Sequence, residues 1–310
     1  MDREKQDRIR KQCLVGVDFG GTAIKIGEIQ GGKVLQSTVI DTRSERGPTA
    51  VMDAIAAGVK KLVPSPSGLG LAIPGEVDDD GRIWRLPNVP GFEGMNIAAE
   101  LEDRLECSIF VENDATAAAL GEALFGHGLQ HRSFLMVTMG TGIGGGLVLE
   151  GKVRRGRYGF TGEIGHVLVD SSEDAWLCSC GCYGCMEAYA GTKGLLRKFR
   201  ELGGSGTEVR DIAESARLGE AAGCQSFEMM GWALGTGLAT IQNVLDLDAI
   251  VFAGGVSKSF DLIISPLRTA LKARAFSEPL GEVPLLVSDV GSKVGLVGAA
   301  CLVIQGSQPV

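Results

Sequence analysis

The run Thr138-Met139-Gly140-Thr141-Gly142-Ile143-Gly144-Gly145-Gly146-Leu147-Val148-Leu149 decides how this chain is read. The apolar segment Phe134 to Val137 leads into it, and a second apolar segment leaves it towards Glu150-Gly151-Lys152. That pattern is strand, glycine-rich hairpin, strand. A turn of glycines holds bare backbone N–H groups close together, which is how a protein grips a phosphate without a side chain. The spacing Gly140-x-Gly142-x-x-Gly145 formally matches the dinucleotide fingerprint. That motif requires a following helix, so that the pyrophosphate meets the helix N-terminus. Strand follows here, which rejects the dinucleotide reading.

Working outward, the same plan occurs earlier. Val15 to Val34 and Phe134 to Val153 both run apolar strand, glycine turn, second strand and Gly-Lys-Val in the next turn. Two copies of one supersecondary unit predict two similar lobes with a cleft between them. The first copy carries Asp18-Phe19-Gly20-Gly21-Thr22 at its turn, and a third glycine turn, Ala253-Gly254-Gly255-Val256, follows the apolar strand Ala249 to Phe252. Gly27 to Lys33 and Gly146 to Lys152 each spell G-x-x-x-x-G-K, but both then place Val where a P-loop needs Ser or Thr for Mg²⁺. Tight hairpins alone explain any one of these turns. Three together imply ATP, with Asp18, at a strand end, holding a water of the Mg²⁺ shell. Between the copies, Pro48 opens a helix bearing Val51, Ile55 and Val59 on one face. Ile97, Leu101 and Leu105 mark another, and Asn113-Asp114 precede an alanine-rich helix.

Composition narrows the class. At 310 residues the chain exceeds a single core, which typically stops growing near ~250–300 residues. A 45% apolar and 22% charged content is that of an ordinary globular protein. The net charge of −8 argues against nucleic acid as main partner, because phosphate backbones reward basic patches. No apolar run approaches the ~20 residues of a membrane span, and Met1 to Gln12 is charged, unlike a signal peptide. Of the eight cysteines, four crowd into Cys178–Cys185, which reads as metal binding in a reducing compartment, hence the cytoplasm.

The string His166-x11-Cys178-x-Cys180-Gly-x-x-Gly184-Cys185 offers three thiolates and an imidazole within one segment. That set makes a closed, structural tetrahedral Zn²⁺ site. Cys182 is a fifth sulfur, left outside because beside Gly181 it competes with Cys180 for one vertex. Glu163 and Glu187 flank the ligands, and fixed by them would form a rigid polar wall suited to a polyol. Asp114, between strand and helix, is placed either to cap the helix or to act as a base kept ionised by the helix dipole. Asn88, between Pro87 and Pro90, is a turn residue or a further hydroxyl partner.

Asp18-x-Gly-Gly-Thr, Asn113-Asp114, Met139-Gly-Thr-Gly-x-Gly-Gly-Gly, Gly162-Glu-x-Gly-His166, Cys178-x-Cys-Gly-x-x-Gly-Cys-x-Glu187 and Ala253-Gly-Gly-Val256, in this order from about Leu14 to Ala300, resemble the ROK family of sugar kinases and repressors. The resemblance implies an α/β fold of the two-lobed actin/hexokinase-like type, a duplicated ribonuclease-H-like fold whose lobes close over ATP–Mg²⁺ and a hexose. On that basis a charged leader 1–13 precedes a small lobe of 14–115 plus 293–310 and a large lobe of 116–292 carrying the zinc site. It implies His166, Cys178, Cys180 and Cys185 as zinc ligands, and Gly75, Asn88, Asn113, Asp114, Glu163, His166 and Glu187 around the sugar, with Asp114 as base. The ATP phosphates are expected against Gly20, Gly21, Thr22, Gly140, Thr141 and Gly142 beside Asp18 and Thr138, and adenosine near Gly254 and Gly255. The expected reaction is phosphorylation of a hexose at its primary hydroxyl, glucose first, with N-acetylhexosamines or fructose as alternatives. A sugar sensor without catalysis is the alternative of another class. Family repressors carry a winged helix-turn-helix ahead of this region, and the leader is expected to be too short for one. The resemblance also implies a homodimer or homotetramer.

Overall fold

The computed structural model describes residues 12–87 and 89–306. Strands β1 (Cys13–Phe19), β2 (Ala23–Gln30) and β3 (Lys33–Asp41) form an antiparallel meander. Helix α1 (Pro48–Leu62) leads to β4 (Leu69–Ile73), the small hairpin β5 (Glu76–Val77) and β6 (Ile83–Arg85), helix α2 (Ile97–Leu105), β7 (Ile109–Asn113) and helix α3 (Asp114–Phe125). The second meander is β8 (Phe134–Met139), β9 (Ile143–Leu149) and β10 (Lys152–Arg154). After it come α4 (Met186–Ala190), α5 (Thr192–Glu201), α6 (Val209–Arg217) and α7 (Ala221–Leu245). The chain then runs through β11 (Ala249–Ala253), α8 (Phe260–Arg274), α9 (Glu278–Gly281), β12 (Leu285–Val287) and α10 (Val294–Gly306).

The repeat predicted from the two glycine turns is present in the sheets. One has the order β3-β2-β1-β4-β7 and the other β10-β9-β8-β11-β12, so each is a meander extended by two strands on the side of its first strand. The added strands are parallel, β1 with β4 and β4 with β7 in one sheet, β8 with β11 and β11 with β12 in the other. Parallel strands need crossovers, which the helices supply.

Contacts divide the chain into two compact units. One takes the described residues of Met1–Arg132 with Gly146–Thr161 and Ser288–Val310; the other takes Ser133–Gly145 and Gly162–Val287. In the first, Val15, Val17 and Phe19 of β1 point into a core with Ile24, Ile26, Val51, Ile55, Leu69, Leu71, Ile97 and Leu101. Alternation sends Leu14, Gly16 and Asp18 to the opposite face. Helix α10 lies there, with Leu14 in a core of Leu296, Val297 and Ala300. A side chain at Gly16 or Gly70 would strike the α10 backbone at Leu296, Ala299 or Ala300, so glycine permits this approach. The same alternation carries Asp18 to the start of α10, where a Cβ on Gly295 would sit 3.4 Å from its Oδ2.

In the second unit β11 is buried along its whole length. Helices α7 and α8 meet closely where Gly231 and Gly235 face Pro266, Leu267 and Ala270. Among the described residues no helix is long and apolar enough to cross a membrane.

Candidate active site

In the first unit, β7 ends in the Asn113-Asp114 dipeptide. Asn113 Oδ1 accepts from Ala115 N at 3.0 Å and Thr116 N at 3.1 Å, so Asn113 is the cap of α3. Asp114 is therefore the first helical residue, with its Oδ1 accepting from Ala115 N at 2.7 Å. A carboxylate there lies in the positive field of the helix N-terminus. Asn113 Nδ2 donates to Gly75 O at 3.2 Å, which brings the Gly75 loop to the dipeptide. Behind them, buried Glu112 accepts from Asn113 N at 2.8 Å through Oε1. Its Oε2 lies 2.6 Å from Arg155 Nε. Burial pushes the Glu112 carboxyl above its ordinary range, and the Arg155 guanidinium pulls it back. Asn88 lies outside the described residues.

Asp18 faces Lys25 across the hairpin, with Lys25 Nζ 2.8 Å from its Oδ2. Between them Gly20 N donates to Ala23 O at 3.0 Å, and Thr42 ties the turn down through Thr22 O and Gly20 O.

The second unit holds the metal-type segment. The ligand atoms of His166, Cys178, Cys180 and Cys185 all lie within 4.8 Å of one another, although Cys180 is exposed and Cys178 and Cys185 are buried. A tetrahedral zinc with sulfur about 2.3 Å away separates its ligand atoms by roughly 3.8 Å. Here Cys178 Sγ is 3.7 Å from His166 Nδ1, and Cys180 Sγ is 3.7 Å from Cys185 Sγ. The donor set and its spacing fit zinc, and no disulfide links these sulfurs. Burial foremost and then the adjoining Cys180 sulfur push the Cys185 thiol up to about 12, and a bound cation would offset that cost for Cys185. Cys182 stands outside the four; its carbonyl accepts from Cys178 N at 2.8 Å and closes the loop around them.

His166 turns its Nδ1 to the cysteines, while its Nε2 lies 3.7 Å from Glu163 Oε2. That separation is longer than a hydrogen bond, so the Glu163 carboxylate faces the ring as a nearby charge. Glu187, at the start of α4, accepts from Ser179 Oγ at 2.8 Å and from Ile143 N at 3.0 Å. It thus lies against the Gly140–Ile143 turn. In that turn Gly140 N donates to Gly142 O at 3.0 Å, and Thr192 Oγ1 donates to Gly140 O at 2.7 Å. Thr138 pairs with Ala253 in the parallel ladder, and Gly254, at φ 95°, passes directly over Met139.

Comparison with known proteins decides the family. The model of the ROK family matches residues 14–306. The chain belongs to the ROK family. A glucokinase of Streptomyces coelicolor is 33% identical, over 93% of this chain and 96% of its own. The xylose repressor of Bacillus subtilis is 29% identical, over 94% of this chain and 76% of its own. Among solved structures, a ROK family glucokinase from Streptomyces griseus in complex with glucose and AMPPNP superposes with a TM-score of 0.83 at 32% identity, covering 95% of this chain and 100% of that one. The expected two-sheet, actin/hexokinase-like architecture with a Cys/His site is therefore the fold of this ROK chain.

Five contributors were absent from the sequence reading. Ser179 and Thr192 carried no motif. Arg155 and Glu112 meet only through the fold. Lys25 was within reach, because hairpin register alone places it opposite Asp18.

Proposed function

We propose that this ROK protein is an ATP-dependent hexose kinase that phosphorylates its sugar at the primary hydroxyl, with glucose the preferred substrate. One observation carries the reading: the segment whose four metal-ligating atoms converge also carries Glu163, His166 and Glu187, the polar wall assigned to the sugar. The similarity to glucokinases, one of them solved with glucose and AMPPNP, supports the same activity.

In this reading Asn113, Asp114, Gly75, Asn88, Glu163, His166 and Glu187 contact the hexose. The primary hydroxyl oxygen bonds to the γ-phosphorus of ATP as the bridge to the β-phosphate breaks, ADP leaves, and Asp114 takes the hydroxyl proton. Such a transfer is mostly alignment and charge stabilisation. Gly20 and Gly140 use their N–H groups within their own turns, so phosphate contacts are assigned to the amides that follow, at Gly21, Thr22, Thr141 and Gly142. Thr138, Gly254 and Gly255 line the nucleotide end. Magnesium, when bound, neutralises phosphate charge, and Asp18 is the residue to hold its water shell. Zinc, held by His166, Cys178, Cys180 and Cys185, supplies rigidity to the sugar wall. A homodimer or homotetramer in the cytoplasm accompanies this reading; the mass in light scattering tests the assembly.

The sensor reading is kept because a xylose repressor aligns along nearly the whole chain. A coupled assay of ADP formation over glucose, mannose, fructose, allose and N-acetylated hexosamines separates the two. Turnover led by glucose is expected. Sugar binding by calorimetry with no ADP formed on any sugar would establish the sensor instead.

A further inference from the structure

Glu187 has a second set of partners besides any sugar. Its Oε2 accepts from Ile143 N, at the exit of the Gly140–Ile143 turn, and its Oε1 accepts from Ser179 Oγ, between two of the metal-ligating cysteines. Contact with the turn is close enough that a Cβ on Gly142 would overlap Glu187 Oε2. From the same stretch of chain, Thr192 Oγ1 and Thr192 N both donate to Gly140 O, at 2.7 and 3.3 Å. A side chain on Gly191 would meet Thr141 O at 3.1 Å. The turn is thus seated at both ends on one short piece of backbone, Glu187 to Thr192, whose own start is tied to the metal loop through Ser179. A glycine turn has little intrinsic stiffness. Its amides keep one direction only if something holds the flanking peptide units.

Resting on the kinase reading above, we propose that Glu187 is a positioning residue for the nucleotide. It fastens the phosphate turn to the metal-bound segment, so that this segment sets ATP affinity as well as sugar affinity, and Ser179 keeps Glu187 on the turn. A role in sugar contact alone makes Glu187 irrelevant to nucleotide in the absence of sugar. The two roles therefore separate in a single measurement.

The test is AMPPNP–Mg²⁺ binding by calorimetry with no sugar present, on the wild-type chain, Glu187→Gln, Glu187→Ala and Ser179→Ala, with bound zinc quantified in each preparation. Loss of a charge-assisted hydrogen bond to backbone corresponds to about tenfold weaker binding, about 1.4 kcal/mol, for Glu187→Ala. Glu187→Gln keeps one acceptor oxygen and falls between it and wild type. Ser179→Ala, which leaves the carboxylate in place, weakens nucleotide by about threefold, within the range of one neutral hydrogen bond. Wild-type AMPPNP affinity in zinc-replete Glu187→Ala overturns the inference and leaves the kinase reading standing. Failure of the wild-type chain to bind AMPPNP at all overturns both. Weaker nucleotide binding in the variants of a protein that phosphorylates no hexose supports the inference while removing the kinase reading.

Discussion

Replacing Arg155 by Met should expose how the Asn113-Asp114 dipeptide is held. Arg155 joins three pieces of the first unit: its Nε pairs with Glu112 Oε2, and its terminal nitrogens reach Asp79 Oδ1 and Val77 O. The Nε–Oε2 contact, at 2.6 Å, is a close ion pair. Glu112 is only 6% exposed and carries the Asn113 amide on its other oxygen. Removing one partner of a buried pair costs about 3–5 kcal/mol, because a charge is stranded. The Arg155 side chain is 25% exposed, so solvent reduces this to the lower end, about 3 kcal/mol, or a fall of roughly 6–12 °C in the thermal transition.

The pH dependence has a definite sign. Burial raises the folded-state pKa of Glu112 above its ordinary 4.5. Below 4.5 the carboxyl is protonated in both states and contributes nothing. Above it the unfolded chain ionises first, so Glu112 subtracts stability until the folded state ionises as well. Losing Arg155 pushes the folded pKa higher and deepens that loss. The deficit of Arg155→Met should therefore be small near pH 4.5 and larger at pH 8, followed by circular dichroism melts at matched ionic strength. Adding Glu112→Gln removes the stranded charge and should recover about half of the loss. A deficit that does not change between those pH values, or a double variant no more stable than Arg155→Met, would refute the reasoning.

Three further outcomes are expected. Asp114→Asn should lower turnover by on the order of a thousandfold with sugar affinity retained; near-normal turnover in steady-state assays would remove Asp114 as the base. Chelating the metal should abolish sugar binding and change tryptophan emission, since Trp176 stacks on Tyr189 at 4.8 Å beside the cysteine loop and Tyr189 meets Trp232 edge-on at 5.7 Å. Full sugar affinity in a sample shown by metal analysis to be zinc-free would dismiss the staple. Gly70→Ala should cost about 3 kcal/mol in urea unfolding, because its methyl would fall on the Ala299 carbonyl and α10 would have to move; an unchanged midpoint would show that α10 yields freely.

The parts of this fold that were legible in sequence are those whose cause is local. Strand-turn-strand repeats show as alternating apolar segments around glycines, and hairpin register then fixes cross-strand pairs such as Asp18 and Lys25. The convergence of His166, Cys178, Cys180 and Cys185 was legible because they fall within one segment of a single loop system. Partners brought together by tertiary folding left no such trace. Arg155 reads as one of three arginines within Arg154–Arg157, and nothing near it in sequence points to Glu112. Thr192 is an ordinary helix-start threonine until α5 is placed beneath Gly140.

The glycine turn itself places more than one demand on its residues. No residue from Gly140 to Gly146 has positive φ, so left-handed backbone is not what these glycines supply. Space is what most of them supply: a Cβ on Gly142 meets Glu187, on Gly145 meets Gly162 O and Ile164, and on Gly146 meets Ala115 O. Gly145 and Gly146, which face backbone, would be required by packing even if no nucleotide ever bound, whereas at Gly142 the obstacle is the flexible end of Glu187. Gly140 differs, because a Cβ there meets nothing within 4 Å. Packing gives no reason for glycine at that position, whereas close approach of a phosphate does. The open space at Gly140 fits the proposed phosphate contacts at the Thr141 and Gly142 amides, and the density of glycines around it is evidence chiefly for how tightly the turn is seated.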